Sequence, residues 1–180
     1  MPPPSGQTVT GGIGQPADLL PRFLARLIDF VLIAVVNSII GLIVIGAMLG
    51  LDAGTSGPGF TFGSGEAWAA GAISSLISTA ISLGYFTLME STQGQTLGKM
   101  LVKLETRGPG GGRPTVAEAL KRNAFVAIGL LGVVPMLGFL GSLLSLAAVI
   151  MIAVTINQDT VTRHGWHDNF AGGTTVYKIG

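Results

Sequence analysis

Charge is what this chain has least of. Only 11% of its 180 residues are Asp, Glu, Lys or Arg, against about a quarter in an ordinary soluble domain. So few charges cannot coat a water-facing surface, and with 48% hydrophobic residues the composition points to lipid as the solvent. The few charges also nearly cancel, 10 Lys and Arg against 9 Asp and Glu for a net charge of +1. That leaves no basic surplus from which to build a nucleic-acid footprint, so no nucleic-acid partner is expected. Cysteine is absent altogether. Its absence excludes disulfides, thiolate metal sites, iron–sulfur clusters and a cysteine nucleophile, while leaving the compartment open.

What the chain has in place of charge is apolar runs. Residues 1 to about 18 (MPPPSGQTVTGGIGQPAD) are rich in Pro, Gly, Ser and Thr without apolar periodicity, which predicts a disordered tail. The run that follows is too long for a secretory signal and is expected to be retained as a span. From Phe30 to Leu49 no charge occurs over 20 residues, a length that as a helix matches a hydrocarbon core of about 30 Å. Pro21 suits a first helical turn, and the Gly- and Pro-rich stretch after Leu49 ends the helix. A second apolar run extends from Ala67 to Met89, with Trp68 at one end and Tyr85 and Phe86 near the other, as an aromatic belt would place them. Small residues recur on it at helical spacing (Gly71, Ser75, Ser82; Ser74, Ser78), so one face permits close helix packing.

The stretch from Ala124 to Ile156 is too long for one span and short for two. Pro135 and Gly138 break it, and Thr115 with Glu118 three residues on forms a capping-box pattern that starts a helix before the break. A hairpin is the favoured reading, its first arm carrying Lys121 and Arg122 snorkelling to the interface; three spans against four stays open. Between these runs LVKLETR alternates, GPGGGR reads as a turn, and TTVYKI is β-branched, so the polar pieces are expected to pair as a small sheet. Residues 90–122 hold six Lys and Arg, while the loop from Gly50 to Glu66 holds none. By the positive-inside rule the amino terminus and the basic loop are cytoplasmic, and with the hairpin the carboxy terminus is expected there too.

The expected fold is therefore all-α and transmembrane. It comprises a disordered tail (1–18) and one membrane domain (19–180), a four-helix bundle with spans near 24–50, 67–90, 116–134 and 136–156, the last two a Pro-broken hairpin, plus a small cytoplasmic β flap.

Two clusters could carry chemistry. In RFLARLIDF, Arg22, Arg26 and Asp29 fall at i, i+4 and i+7, one polar stripe on an apolar helix. A carboxylate at membrane depth normally faces the bundle interior beside a partner, and Arg26 is the natural partner for Asp29. The alternative is that Asp29 lies at the interface as half of a local ion pair. After the last span, Asp159, Arg163, His164, His167 and Asp168 fall within ten residues, and with a cytoplasmic carboxy terminus they can meet the first-helix stripe. The two histidines fit no zinc spacing, so no metal is expected. GQTLGK (94–99) lacks the glycine spacing and the hydroxyl residue of a phosphate loop, and no nucleophile elbow, metalloprotease pair or dinucleotide fingerprint occurs. Neither an enzyme nor a cofactor is expected.

Taken in order, ARLIDF, ESTQGQTLGKMLVKLETR, a Gly turn with RPT, AEALKRN and RHGWHDNFAGGT resemble the RDD family of bacterial membrane proteins over about residues 19–178. The resemblance implies a bacterial plasma-membrane location. It implies that Arg26 is the family arginine and Asp29 its first aspartate, with Asp168 favoured over Asp159 as the second. Met100, where a basic residue would be expected, departs from the pattern. Two functions follow as expectations. One is an accessory or assembly subunit of a larger membrane complex, its charges locking the flap onto the bundle. The other is a small homo-oligomeric transporter of a cation, proton or polar solute through a charged site made by Arg22, Arg26, Asp29, Asp159, His167 and Asp168. A membrane-protein partner or a second copy is implied in either case, besides the bilayer.

Overall fold

The computed structural model describes residues 13–49, 65–134 and 137–180. Three of its helices are long and apolar enough to cross a membrane: α1 (Leu19–Leu49), α2 (Gly65–Gln93) and α5 (Leu137–Gln158). Pro21 falls in the first turn of α1, where its missing N–H costs no intrahelical bond. At the end of α2, Gly94 takes φ +71 and donates its N–H to the Glu90 carbonyl, a left-handed cap that a side chain would strain. Most large side chains on the spans, Leu27, Val31, Leu42, Phe139 and Met151 among them, are exposed, as expected of surfaces that face lipid tails.

The polar pieces gather at one end. Short α3 (Leu97–Leu101) follows the end of α2, then β1 (Leu104–Arg107), then α4 (Val116–Asn123). After α5 the chain forms α6 (Trp166–Phe170) and β2 (Thr175–Lys178). The expected sheet forms: β1 and β2 pair antiparallel, with Leu104 opposite Lys178 and Arg107 opposite Thr175. Residues 13–18 of the expected tail are engaged with that sheet. Gly14 and Ala17 donate to the carbonyls of Lys178 and Val176, and Pro16 bridges Tyr177. Residues 1–12 lie outside the described residues. Ala17, Ala25, Leu104 and Val176 form a small apolar core under this cap.

The segment expected as one helix over 116–134 is two. Thr115 caps α4 as the capping-box pattern predicts, accepting from the Glu118 N–H while the Glu118 carboxylate accepts from the Thr115 N–H. At Ala124 the chain tightens into a 3-10 helix that runs to Val133. With three residues per turn, Val126, Gly129 and Gly132 share one face, and that face lies on the small-residue stripe of α2. A Cβ at Gly129 would sit 3.1 Å from Thr79 Oγ1, and one at Gly132 2.9 Å from Ser75 Oγ. The two pieces accompany α2 along its length. Asn123 bonds Glu90 near one end of α2, and the Val133 carbonyl accepts from Trp68 Nε1 near the other at 3.1 Å. At about 1.5 and 2.0 Å rise per residue the rod covers about 30 Å. The break expected at Pro135 lies outside the described residues.

Candidate functional site

Where the cap meets the helices, charged side chains are buried in numbers that the composition makes conspicuous. Asp29, Glu90 and Asp168 are 1%, 0% and 0% exposed. Burying a carboxylate is costly unless it is paired and hydrogen-bonded, so each one dictates its surroundings.

Asp168 lies in α6 and is reached by arginines from two other helices. Arg22 of α1 approaches its Oδ2 at 3.0 Å and Arg122 of α4 its Oδ1 at 2.7 Å. The Gly165 N–H donates to Oδ2 at 2.9 Å, and the Thr174 hydroxyl donates to Oδ1 at 3.3 Å. Burial alone would push this carboxyl up, but Arg122 and Arg22 hold it well below the usual carboxylate range. Glu90, at the end of α2, receives Lys99 Nζ and Asn123 Nδ2, the latter at 3.1 Å, with Arg122 Nε 3.5 Å away. Lys99 also donates to Thr106 Oγ1 at 2.6 Å, which ties in β1. Burial lowers the Lys99 ammonium to about 8 even against the pull of Glu90.

Asp29 binds differently from expectation. Its partner is not Arg26. Its Oδ1 accepts from the Tyr85 hydroxyl and the Gly98 N–H, both at 2.7 Å, and its Oδ2 from the Thr96 hydroxyl at 2.5 Å. The GQTLGK segment thus serves as an anion cradle for a carboxylate of the same chain. Thr96 caps α3, and Gly98 lets its backbone approach α1. Arg26 turns instead to Asn123 Oδ1 at 2.7 Å, with its guanidinium carbon 3.9 Å from the Phe86 ring centre and 5.3 Å from that of Phe125. Such stacking on aromatic faces suits a desolvated guanidinium. Tyr85 and Phe86, read from sequence as an interfacial belt, are therefore parts of the cluster. Arg122, expected to snorkel, is buried; Lys121 beside it is exposed.

Of the residues singled out in the sequence, Arg22, Arg26, Asp29, His167 and Asp168 come together. Asp159 does not. It accepts from the backbone N–H groups of Val161, Thr162 and His164 and from the Thr162 hydroxyl, closing the loop after α5. Of the two aspartates, Asp168 is the one that contacts α1, through Arg22. Arg163 pairs with Asp18 at 3.3 Å and His164 Nε2 lies 2.6 Å from Thr175 Oγ1, both outside the buried cluster. Sequence reading missed Glu90, Lys99 and Asn123 as members. The available signal was Glu90 itself, the only charge in an apolar run from Ala67 to Gln93, since a lone carboxylate at that depth requires a buried partner. Among the described residues no group of three or more His, Asp or Glu is arranged to hold a metal ion.

His167 is buried 3.7 Å from Asp168, and its Nδ1 has no hydrogen-bond partner. Burial, reinforced by Arg122, Arg26 and Arg22, lowers its pKa from about 6.5 to about 3. Because the folded pKa is the lower one, the unfolded chain binds the extra proton between these values, and stability falls as pH drops below about 6.5. The slope from this one group is about 1.4 kcal/mol per pH unit. Thermal unfolding of the purified protein in mild detergent is therefore expected to lose about 2 kcal/mol between pH 6.5 and pH 5. His167→Gln should flatten that decline. Identical slopes for the two proteins would refute the assignment.

The sequence matches the RDD family over residues 16–172. No curated protein and no solved structure matches the chain. With most of its length covered, the chain belongs to the RDD family, and its apolar helices make it a multi-pass membrane protein.

Proposed function

We propose that this RDD family chain is an accessory or assembly subunit of a larger bacterial plasma-membrane complex. In this reading its charged cluster is a structural lock and not a catalytic or solute-binding site. The observation that carries the proposal is the saturation of the carboxylates. Asp29 accepts three hydrogen bonds and Asp168 two ion pairs and two further hydrogen bonds, all from groups of the same chain. A carboxylate that must take up a cation or relay a proton needs an open coordination position or water. Here the donors come from α1, α3, α4, α6 and the end of α2, so the cluster clamps the cap to every helix that reaches it. A buried ionic network of this kind specifies one assembled arrangement more than it adds stability.

The cap end is assigned to the cytoplasm, because the basic segment 90–122, residues 13–18 and the carboxy-terminal strand gather there while the 50–66 loop carries no Lys or Arg. With that orientation the rod of α4 and the 3-10 helix is the fourth crossing. The broad exposed apolar faces of α1 and α5 remain for lipid and a partner's helices.

The test is purification of the natively expressed, tagged chain in mild detergent, with mass spectrometry of proteins recovered at stoichiometric levels. A defined hetero-complex is the expected result. A homo-oligomer alone, whose ion flux in vesicles responds to Asp29→Asn, would replace this reading with transport.

A further inference from the structure

Between α1 and α5, which touch only sparingly, lies a partly open cavity of about 140 Å³. Its floor carries net positive charge: Arg22, Arg26, Lys99 and Arg122 line it with one carboxylate, Asp29, and the buried imidazole of His167. Its walls are apolar, with Val149, Ile152, Ala153 and Ile156 presenting one stripe of α5 toward Phe23 and Leu27 of α1. We infer that this cavity seats the anionic headgroup of a bilayer lipid at the cap-side leaflet, with an acyl chain leaving between α1 and α5.

Three observations meet here. The first is charge. Four cations (Arg22, Lys99 and Arg122 buried, Arg26 partly so) share the cluster with three buried carboxylates (Asp29, Glu90, Asp168), leaving one positive charge in excess where desolvation makes an unmatched charge costly. An anion at the floor restores balance. The second is unused donors. Arg22 Nε, Arg26 Nη1, Arg122 Nε and His167 Nδ1 are buried without a hydrogen-bond partner, Arg122 Nε being 3.5 Å from Glu90. Arg22, Arg122 and His167 are each at least nine-tenths buried. Arginine matches phosphate oxygens through paired N–H bonds. The third is shape. A cavity near 150 Å³ holds a group about the size of benzene, which admits a phosphate diester or a carboxylate with a few methylenes but not a whole lipid. The remainder must leave through the open side, along the apolar walls that α1 and α5 supply. Arg22 lies in the first turns of α1, the level at which headgroups meet a spanning helix. A free inorganic anion would use the floor and leave the apolar walls unmatched.

The inference rests on the membrane reading and not on the accessory role, so loss of a partner complex would leave it standing. The experiment is thermal unfolding of the purified full chain in nonionic detergent, titrated separately with dioleoylphosphatidylglycerol, dioleoylphosphatidylcholine and sodium phosphate. The phosphatidylglycerol is expected to raise the midpoint saturably, with at least tenfold tighter apparent affinity than the phosphatidylcholine. Phosphate alone should leave the midpoint unchanged. Ala153→Phe fills the cavity from the α5 wall without touching an ion pair and should weaken the phosphatidylglycerol response at least tenfold. Ala153→Leu, smaller, serves if the larger variant does not fold. Native mass spectrometry of the unaltered protein should retain one anionic lipid per chain. Equal responses to the two lipids, a phosphate response equal to that of phosphatidylglycerol, or an undiminished response in the cavity variants would each overturn the proposal.

Discussion

Asp168→Asn is expected to destabilise the protein by about 3–5 kcal/mol, the range found when one partner of a buried ion pair is removed and the other charge is left behind. The side-chain volume hardly changes, so the effect isolates charge from packing. Arg22 and Arg122 would both face a neutral amide, and neither can lose its proton. The Gly165 N–H and the Thr174 hydroxyl would also lose a charged acceptor. Because Asp168 holds α6 to α1 and α4, the loss should appear as release of the carboxy-terminal cap before the spanning helices unfold. Trypsin cleavage after Arg163 then becomes rapid, and the unfolding midpoint falls by about 10 °C. Asp159→Asn is the control. Its carboxylate caps a loop, a role worth about 1 kcal/mol, and it touches neither arginine. If the two variants behave alike, Asp168 is not the centre of the lock.

The elements that sequence reading recovered share a physical cause. Apolar runs, the Thr115 cap and the alternating strands are local patterns, and each imposes its structure within a few residues. The cluster is not local. Arg22 and Asp168 are 146 positions apart, and Asp29 meets Gly98 at a separation of 69. Sequence reasoning reached one such long-range meeting, that of the carboxy-terminal cluster with α1, from the expected cytoplasmic carboxy terminus, and the resemblance to the RDD family favoured Asp168 within it. The pairing of Arg26 with Asp29 was inferred from proximity along one helix face and proved wrong for a physical reason. A carboxylate with two oxygens at membrane depth is better satisfied by three aimed neutral donors, one a backbone N–H, than by a guanidinium three residues away on its own helix. The guanidinium in turn finds aromatic faces and an amide oxygen in Phe86, Phe125 and Asn123. Arg122 was misread likewise, because a basic residue next to an apolar run normally reaches for the interface. What holds it inside is Asp168 at 2.7 Å, with Glu90 3.5 Å from its Nε, and the lone charge of α2 was a clue to that buried surrounding. The 3-10 helix carries no sequence signature of its own. It arises where Gly129 and Gly132, three apart, bring the backbone against the serines and threonine of α2.

Gly98→Ala tests the remaining half of the lock, and its sign is informative. By intrinsic propensity the substitution should help, since Gly98 lies within helix α3 and alanine is favoured over glycine there by about 1 kcal/mol. The structure predicts the reverse. A Cβ at this position would stand 2.0 Å from the Ala25 carbonyl oxygen and 2.9 Å from the Asp29 carboxyl carbon. The obstructing atoms include the backbone of α1, which no rotamer change can move aside. α3 must retreat, and as it does the Gly98 N–H and the Thr96 hydroxyl both withdraw from Asp29. Overpacking costs about 1–3 kcal/mol, and each hydrogen bond lost to a buried carboxylate adds roughly 1–3 more. A net loss of about 3–5 kcal/mol is therefore expected, read as a lower unfolding midpoint in detergent and a lower yield of folded protein. Gly84→Ala, in α2 at a site with nothing within 4 Å of the added carbon, should be neutral or stabilise by up to about 1 kcal/mol. Equal behaviour of the two alanine variants would mean that α3 does not press on α1 and that the carboxylate of Asp29 is held by other means.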